Sequence, residues 1–285
     1  MFTLINYLDN SFSISVVIPT FNRLIYLERA IKSVLNQTVD VNEIIIVDDG
    51  SNDGTSEFIN SKYPDIKYIY QQNRGVSAAR NVGIAAAQSN WIAFLDSDDE
   101  WITNKLKEQI TQLKSVPKIN FCHSNEIWIR NGVEVKQKIA HKKFGGLIFD
   151  KCLDKCRISP STVICKKSLL IKFKGFDEQL SICEDYDLWL RISSKNPILY
   201  IDKPLIIKYA GHNDQLSNNS EGIEGYHIKS LEKLIEGNFS PDQQSAIRNM
   251  LMKKLKIYAN GAKKRGKIKT YNKFIKRFYE LSFQA

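Results

Sequence analysis

The segment WIAFLDSDDEW, residues 91–101, drives five mostly apolar residues into Asp96, Ser97, Asp98, Asp99 and Glu100. Carboxylates this crowded repel one another unless a cation or hydrogen-bond donors offset them. Asp96 and Asp98 are two residues apart, so in extended chain their side chains point the same way. A second apolar run, EIIIV, ends in Asp48 and Asp49, and a third acidic pair, Glu184 and Asp185, opens EDYDLWLRISSK. Oxygen ligands of this kind suit Mg2+ or Mn2+, which are usually held by few carboxylates plus substrate phosphates. The local alternative is that the acids at DEWITNK cap the helix that follows, and that Glu184 and Asp185 face the positive end of theirs. Each such contact contributes ~0.3–1 kcal/mol.

Strands and helices must bring these acids together. SISVVIP (13–19), EIIIVDD (43–49), IKYIY (66–70) and WIAFLD (91–96) read as strands, mostly buried and rich in β-branched residues. Between them, Asn22 can cap a helix whose apolar face is Leu27, Ile31, Val34 and Leu35. GSNDGTSEFI supplies a turn and a helix start, and GVSAARNVGIAAAQ an Ala-rich helix. Ile102, Leu106, Ile110 and Leu113 stripe another. Alternating strands and helices imply a parallel sheet with right-handed crossovers. Ligands bind such sheets outside the carboxyl ends of the strands, where both Asp48-Asp49 and Asp96-Asp98 belong. After residue 118 the rhythm changes. Asn131-Gly132 signals a hairpin; STVIC reads as a strand, KKSLLIKF as a short helix, EDYDLWLRISSK as a helix with Leu188, Trp189 and Ile192 inward, and ILYID and PLIIKYAG as two strands. From about residue 217 the chain is polar, then helical. Ile247, Leu251, Leu255 and Tyr258 share one helix face; Ile268, Tyr271, Ile275 and Phe278 share another.

The chain has 285 residues, 43% hydrophobic and 25% charged, enough for a sizeable core. No run approaches the ~18 apolar residues of a membrane span. MFTLINYLDNSFS lacks a basic start and carries Asp9 inside its apolar stretch, so no signal peptide is expected. The five cysteines make no metal-site spacing and read as reduced thiols of a cytoplasmic protein. The net charge of +10 is local: 11 of the 41 basic residues and no acidic one fall in 253–277, between Lys253 and Arg277, which leaves 30 basic against 31 acidic elsewhere. That pattern excludes a globally basic nucleic-acid binder. The tail either lies on an anionic membrane, with Tyr271, Phe274, Ile275 and Phe278 among its lysines, or packs on the body by its apolar face.

SVVIPTFNR, EIIIVDDGSNDGT, QQNRGVSAARNVGI and WIAFLDSDDEW, in this order, resemble family-2 glycosyltransferases, inverting enzymes of bacterial glycan assembly; SPSTVIC, KGFDEQL and CEDYDLWLR fit the same family. The resemblance covers about residues 13–215. It implies an α/β GT-A fold, a Rossmann-like nucleotide-binding sheet (13–118) merged with a smaller acceptor-binding sheet (119–215). A short tail (1–12) precedes it, and a basic helical extension (216–285) follows. It also implies a nucleotide-sugar donor, most often a UDP-sugar, a glycan or lipid-linked saccharide acceptor, and Mn2+ or Mg2+. Carried onto this chain, Pro19, Thr20 and Phe21 line the base and ribose pocket. Asp49, with Asp48 beside it, pairs with the nucleobase. Asn73 and Arg80 lie near the uridine and diphosphate, although Arg80 could instead pair with a sheet acid. Asp96-Ser97-Asp98 is the DxD motif, with Asp98 and Asp96 on the metal. His212 joins the metal or diphosphate, or is an ordinary surface histidine. Asp185 is the base, and Glu184 binds acceptor or holds Asp185.

The expected reaction is a metal-assisted single displacement moving a hexosyl or N-acetylhexosaminyl group. Glycoside hydrolases also pair acids, but there one must protonate a poor leaving group; a metal-bound nucleoside diphosphate needs no such proton. Two rivals stand beside this reading. A nucleotidyltransferase would release pyrophosphate, though no glycine-rich, lysine-bearing phosphate loop follows the first strand. A catalytically silent sugar-nucleotide or membrane-binding module would bind without turnover. The expected location is cytoplasmic, at the inner face of the cell membrane if the tail docks there.

Overall fold

The computed structural model describes residues 12–211 and 222–283. Strands β1 (Ile14–Thr20), β2 (Glu43–Asp48), β3 (Lys67–Tyr70) and β4 (Trp91–Phe94) are parallel and lie in the order β3-β2-β1-β4. Beyond β4 the same sheet continues through antiparallel β8 (Ile164–Lys166), then β6 (Phe121–Arg130), β9 (Leu199–Ala210) and the short edge strand β5 (Glu100–Trp101). One sheet therefore carries strands from both segments, 13–118 and 119–215.

Uninterrupted apolar runs are what a sheet covered on both faces requires, because successive side chains point to opposite faces. Val17, Ile45, Val47, Ile92 and Phe94 enter one core cluster, with Ala79 and Ile84 of α3 (Val76–Ala86) and Leu188, Trp189 and Leu190 of α7 (Glu184–Ser193). Their neighbours Val16, Ile18, Ile44, Ile46, Ala93 and Leu95 enter the other, with Leu27, Ile31 and Val34 of α1 (Leu24–Leu35) and Leu106 and Leu113 of α4 (Lys105–Ser115).

Several local expectations change. Asn22 does not cap α1: Arg23 holds that position, and Asn22 sits at φ 51 with its Oδ1 accepting the Asn52 N–H at 2.8 Å. Leu35 is exposed at the end of α1. The Asn131-Gly132 hairpin forms, both residues at positive φ as a type I′ turn demands, but its second arm β7 (Val133–Glu134) is only two residues long. STVIC begins as a turn of 3-10 helix over Pro160–Thr162, leaving β8 three residues. ILYID and PLIIKYAG are one twelve-residue strand, β9, whose register against β6 shifts near Ser124 and Asn125.

The C-terminal helices α8 (Ile223–Ile235), α9 (Pro241–Lys264) and α10 (Ile268–Ser282) close the first core cluster. Ile247, Leu251 and Leu255 are buried there, as their spacing requires, and Phe274 and Phe278 turn inward against the same cluster rather than outward. Arg277 donates to both oxygens of Glu232, fastening α10 to α8. Among the described residues no helix is long and apolar enough to cross a membrane.

The closeness of α3 to the sheet depends on Gly83, where a Cβ would stand 2.3 Å from Val17 Cγ1. Gly83→Ala is therefore expected to lower stability by ~1–3 kcal/mol, despite alanine's better helix propensity. Urea denaturation checks this; a variant as stable as the parent would mean that α3 does not approach β1 this closely.

Candidate active site

The carboxyl ends of β1, β2 and β4 meet one another through hydrogen bonds. Pro19 and Thr20 are buried in register with Val47 and Asp48, while Phe21 just beyond is exposed. Asp48 accepts from Tyr68 Oη at 2.6 Å and from the Ser51 N–H at 2.8 Å. Asp49 accepts from Gln71 Nε2 at 2.6 Å and from the Arg74 and Gly75 N–H groups at 2.8 Å each. It thus shapes the loop that starts α3. Asn73 of that loop lies against Gly50, where a Cβ would stand 3.0 Å from the Asn73 nitrogen; φ 94 at Gly50 also favours glycine.

The acidic knot after β4 is resolved by dividing its carboxylates among separate partners. Asp96 takes Arg80 Nη2 at 2.7 Å, and Asp98 takes Arg23 Nη1. Asp99 accepts from Ser161 Oγ at 2.6 Å, and Glu100 from Tyr209 Oη at 2.8 Å. Arg29 donates to the Asp98 carbonyl at 2.7 Å and lies 3.7 Å above the Tyr209 ring. Ser97 is buried among them. Glu100 stands in β5, and α4 starts only at Lys105 with Asn104 at its N-cap, so the acids do not cap that helix. Burial pushes Asp98 up, against the pull of Arg23 and with Asp96 adding to the rise. Burial and neighbouring Asp98 push Asp99 well up.

Arg80 joins the two halves of the site. It is fully buried, with Nη2 on Asp96 and Nη1 on Glu184, and its guanidinium lies 5.1 Å from the Phe176 ring centre. Both terminal nitrogens are thereby engaged by carboxylates. Glu184 and Asp185 form the first turn of α7, so the helix-charge reading also applies to them. Burial raises Glu184 to about 7 despite Arg80, and adjacent Asp185 adds to the rise. Asp185 is half-buried; its Oδ1 accepts the Tyr186 N–H at 2.7 Å and its Oδ2 the Cys156 thiol at 3.3 Å. Two residues further on, fully buried Asp187 pairs with Arg191 and Lys233, a structural link between α7 and α8.

Sequence reasoning passed over Arg23, Arg29, Cys156 and Lys208. Burial would lower the pKa of Lys208, but nearby Glu126, Asp99, Asp96 and Asp185 outweigh it and raise it. Arg23 was visible in SVVIPTFNR, and the signal was the need of four clustered acids for cations. Lys208 had no such signal, because only strand pairing carries residue 208 to the acids.

Asp96 and Asp98 fit one hard divalent cation on the chemistry of the donor set. Each is a carboxylate with one oxygen taken by an arginine, and burial, with neighbouring Asp96 adding to it, raises Asp98. Among the described residues no third His, Cys, Asp or Glu completes a cluster. His212 lies outside the described residues.

A parallel sheet whose strand ends carry acids, continued by antiparallel β8 and β5 around the parallel pair β6 and β9, is the GT-A layout. Staphylococcus aureus TarS 1-349, solved in complex with UDP-GlcNAc, superposes with a TM-score of 0.74 at 20% identity, over 95% of this chain and 81% of that one. The chain belongs to glycosyl transferase family 2, whose family model matches residues 15–178. An uncharacterized glycosyltransferase of Rickettsia bellii is 36% identical over 217 residues, 74% of this chain and 31% of that protein. The chain thus spans about a third of the length of such Rickettsia relatives. WfgD of Escherichia coli, a UDP-Glc:alpha-D-GlcNAc-diphosphoundecaprenol beta-1,3-glucosyltransferase, is 33% identical over 215 residues, 74% of this chain and 81% of that one.

Because Glu184 keeps its proton to about pH 7 in the folded chain, against an ordinary value of 4.5, its contribution to stability is full below that ordinary value and is lost as pH rises through 7. Glu184→Gln removes this dependence. Its unfolding free energy should fall less between pH 4.5 and 8 than that of the parent, by at most on the order of 3 kcal/mol. Parallel stability curves for the two proteins would contradict the burial of an ionisable Glu184 against Arg80.

Proposed function

We infer that the chain is an inverting glycosyltransferase that moves a hexosyl or N-acetylhexosaminyl group from a UDP-sugar to a lipid-linked or glycan acceptor. The observation that carries this reading is the Arg80 bridge from Asp96 to Glu184. It holds the acids suited to a diphosphate-bound cation beside the helix turn that presents Asp185. The names of the Escherichia coli relatives, which act with UDP-Glc on a diphosphoundecaprenol-linked GlcNAc, support the donor and acceptor classes.

In this reading Pro19, Thr20 and Phe21 face the nucleoside, Asp49 takes the nucleobase N–H, and Asn73 flanks it. Asp96 and Asp98 would hold Mn2+ or Mg2+, which when bound offsets the charge developing on the leaving diphosphate. Arg23, which donates to Asp98, would face the diphosphate when that cation is bound. Arg80 acts by positioning: with both its ends engaged, it fixes Asp96 and Glu184 rather than reaching for phosphate. Asp185 Oδ2 receives the proton of the attacking acceptor hydroxyl in place of the Cys156 thiol contact, and the sugar's anomeric carbon inverts as the nucleoside diphosphate departs. The exposed lysines of 253–277 support a peripheral position on an anionic membrane surface.

A donor screen reading released nucleoside diphosphate, with Mn2+ and with chelator, tests the assignment. Asp185→Asn should retain donor binding and lose transfer by ~10²–10⁴-fold. Asp98→Ala should lose the metal-dependent rate. Full transfer by Asp185→Asn would remove the base, and equal rates in chelator would remove the metal. Pyrophosphate release from a nucleoside triphosphate would favour a nucleotidyltransferase instead, and binding without any turnover a silent module.

A further inference from the structure

A cleft of about 1510 Å³ runs between α8 and the elbow joining α9 to α10. Its lining is rich in cations whose partners differ. Lys233 is spent on Asp177 and Asp187, and Arg277 on Glu232. Arg265, Lys267 and Lys273 also line the cleft, and among the described residues none of the three has a carboxylate within ion-pair distance. Counting Lys229 and Lys276, seven cations and four carboxylates line the cleft, a net excess of three positive charges that an anionic ligand would offset.

The elbow is built to present them. Gly266 stands at φ 71, its N–H bonds the Lys263 carbonyl at 3.0 Å, and the Lys267 N–H bonds the Ala262 carbonyl at 2.9 Å. This pattern ends α9 sharply and sets Arg265 and Lys267 on either side of the turn. Gly261 leaves room for the arginine: a Cβ there would stand 3.2 Å from Arg265 Nη1. The same cleft exposes apolar surface, notably Ile223 and Ile257. Its wall then leads back to the acids. The Ile223 carbonyl lies 3.9 Å from Cys183 Sγ, immediately before Glu184, and the Leu180 carbonyl accepts from Ser77 Oγ of α3 at 3.1 Å. Cations plus apolar surface, beside the turn that carries Asp185, match a ligand with a charged head and an apolar body.

We propose that this cleft seats the diphosphoryl head of a lipid-linked acceptor, with Arg265, Lys267 and Lys273 as its anion-binding side chains. The proposal rests on the reading of the chain as a transferase acting on such acceptors, and it locates the acceptor's anchor away from the reacting hydroxyl. The test is co-sedimentation of the full chain with phosphatidylcholine vesicles carrying undecaprenyl diphosphate, undecaprenol, or phosphatidylglycerol at matched charge. The diphosphate vesicles should bind at least about tenfold more tightly than either control. The exposed triple variant Arg265→Gln, Lys267→Gln, Lys273→Gln should lose roughly 10- to 100-fold of that affinity, with an unchanged melting transition. Equal binding to undecaprenol vesicles, or a variant that binds like the parent, overturns the proposal. Equal binding to phosphatidylglycerol also overturns it, assigning the cations to bulk membrane charge. Nucleoside diphosphate release from a UDP-sugar in the presence of a saccharide acceptor separates the two readings. Its absence in the parent chain would count against the transferase, whereas its presence in the parent together with unchanged vesicle binding by the triple variant would count against the cleft alone.

Discussion

Four carboxylates at the end of one strand are tolerable only because each has been given a different partner. Arg80 takes Asp96, Arg23 takes Asp98, Ser161 takes Asp99, and Tyr209 takes Glu100. The partners come from α3, the β1–α1 junction, the 3-10 turn before β8, and β9. Much of the fold can be read as a device for delivering them. The parallel strands put Asp48-Asp49 and Asp96-Asp98 at one edge, and the mixed extension beyond β4 swings Ser161, Lys208 and Tyr209 against the same loop. A buried charge whose partner is removed costs several kcal/mol, on the order of 3–5. The internal cations are therefore as much a requirement of folding as a resource for chemistry.

The same arrangement explains how one arginine serves two halves of the molecule. Arg80 is buried between a strand end and a helix start, so any shift of α7 relative to β4 strains two guanidinium hydrogen bonds at once. Asp185, one residue past Glu184, inherits that fixed position without touching Arg80 itself. Its own contacts are soft by comparison: one neighbouring N–H and one thiol. A rigid frame with a lightly held carboxylate suits a group that must exchange partners during a reaction.

The parallel half of the fold was legible because its strands are covered on both faces, and uninterrupted runs such as ISVVIPT and EIIIVD have few other uses. The alternation of Val17 and Ile18 into opposite clusters follows directly. Positions of the acids at strand ends were legible for the same reason. What sequence could not supply was pairing across long separations. Arg23 meets Asp98, and Arg80 meets Glu184, only through tertiary contact. Lys208 reaches the acids because β9 pairs with β6 and β5 at the far side of the sheet. Local propensity misled at Asn22, where a side-chain bond to Asn52 outcompetes helix capping. In α10 the sequence left the aromatic face open between lipid and protein, and the core takes Phe274 and Phe278.

The central proposal is that Asp96, held in place by Arg80, and Asp98, paired with Arg23, together bind one divalent cation tightly only when a donor diphosphate completes its ligands. Mn2+ binding followed by electron paramagnetic resonance, with and without UDP, tests it most directly. Weak binding to the protein alone should tighten at least about tenfold when UDP is present, because the phosphates complete a coordination shell that two arginine-paired carboxylates cannot. The same affinity with and without UDP, or no binding in either case, would contradict it.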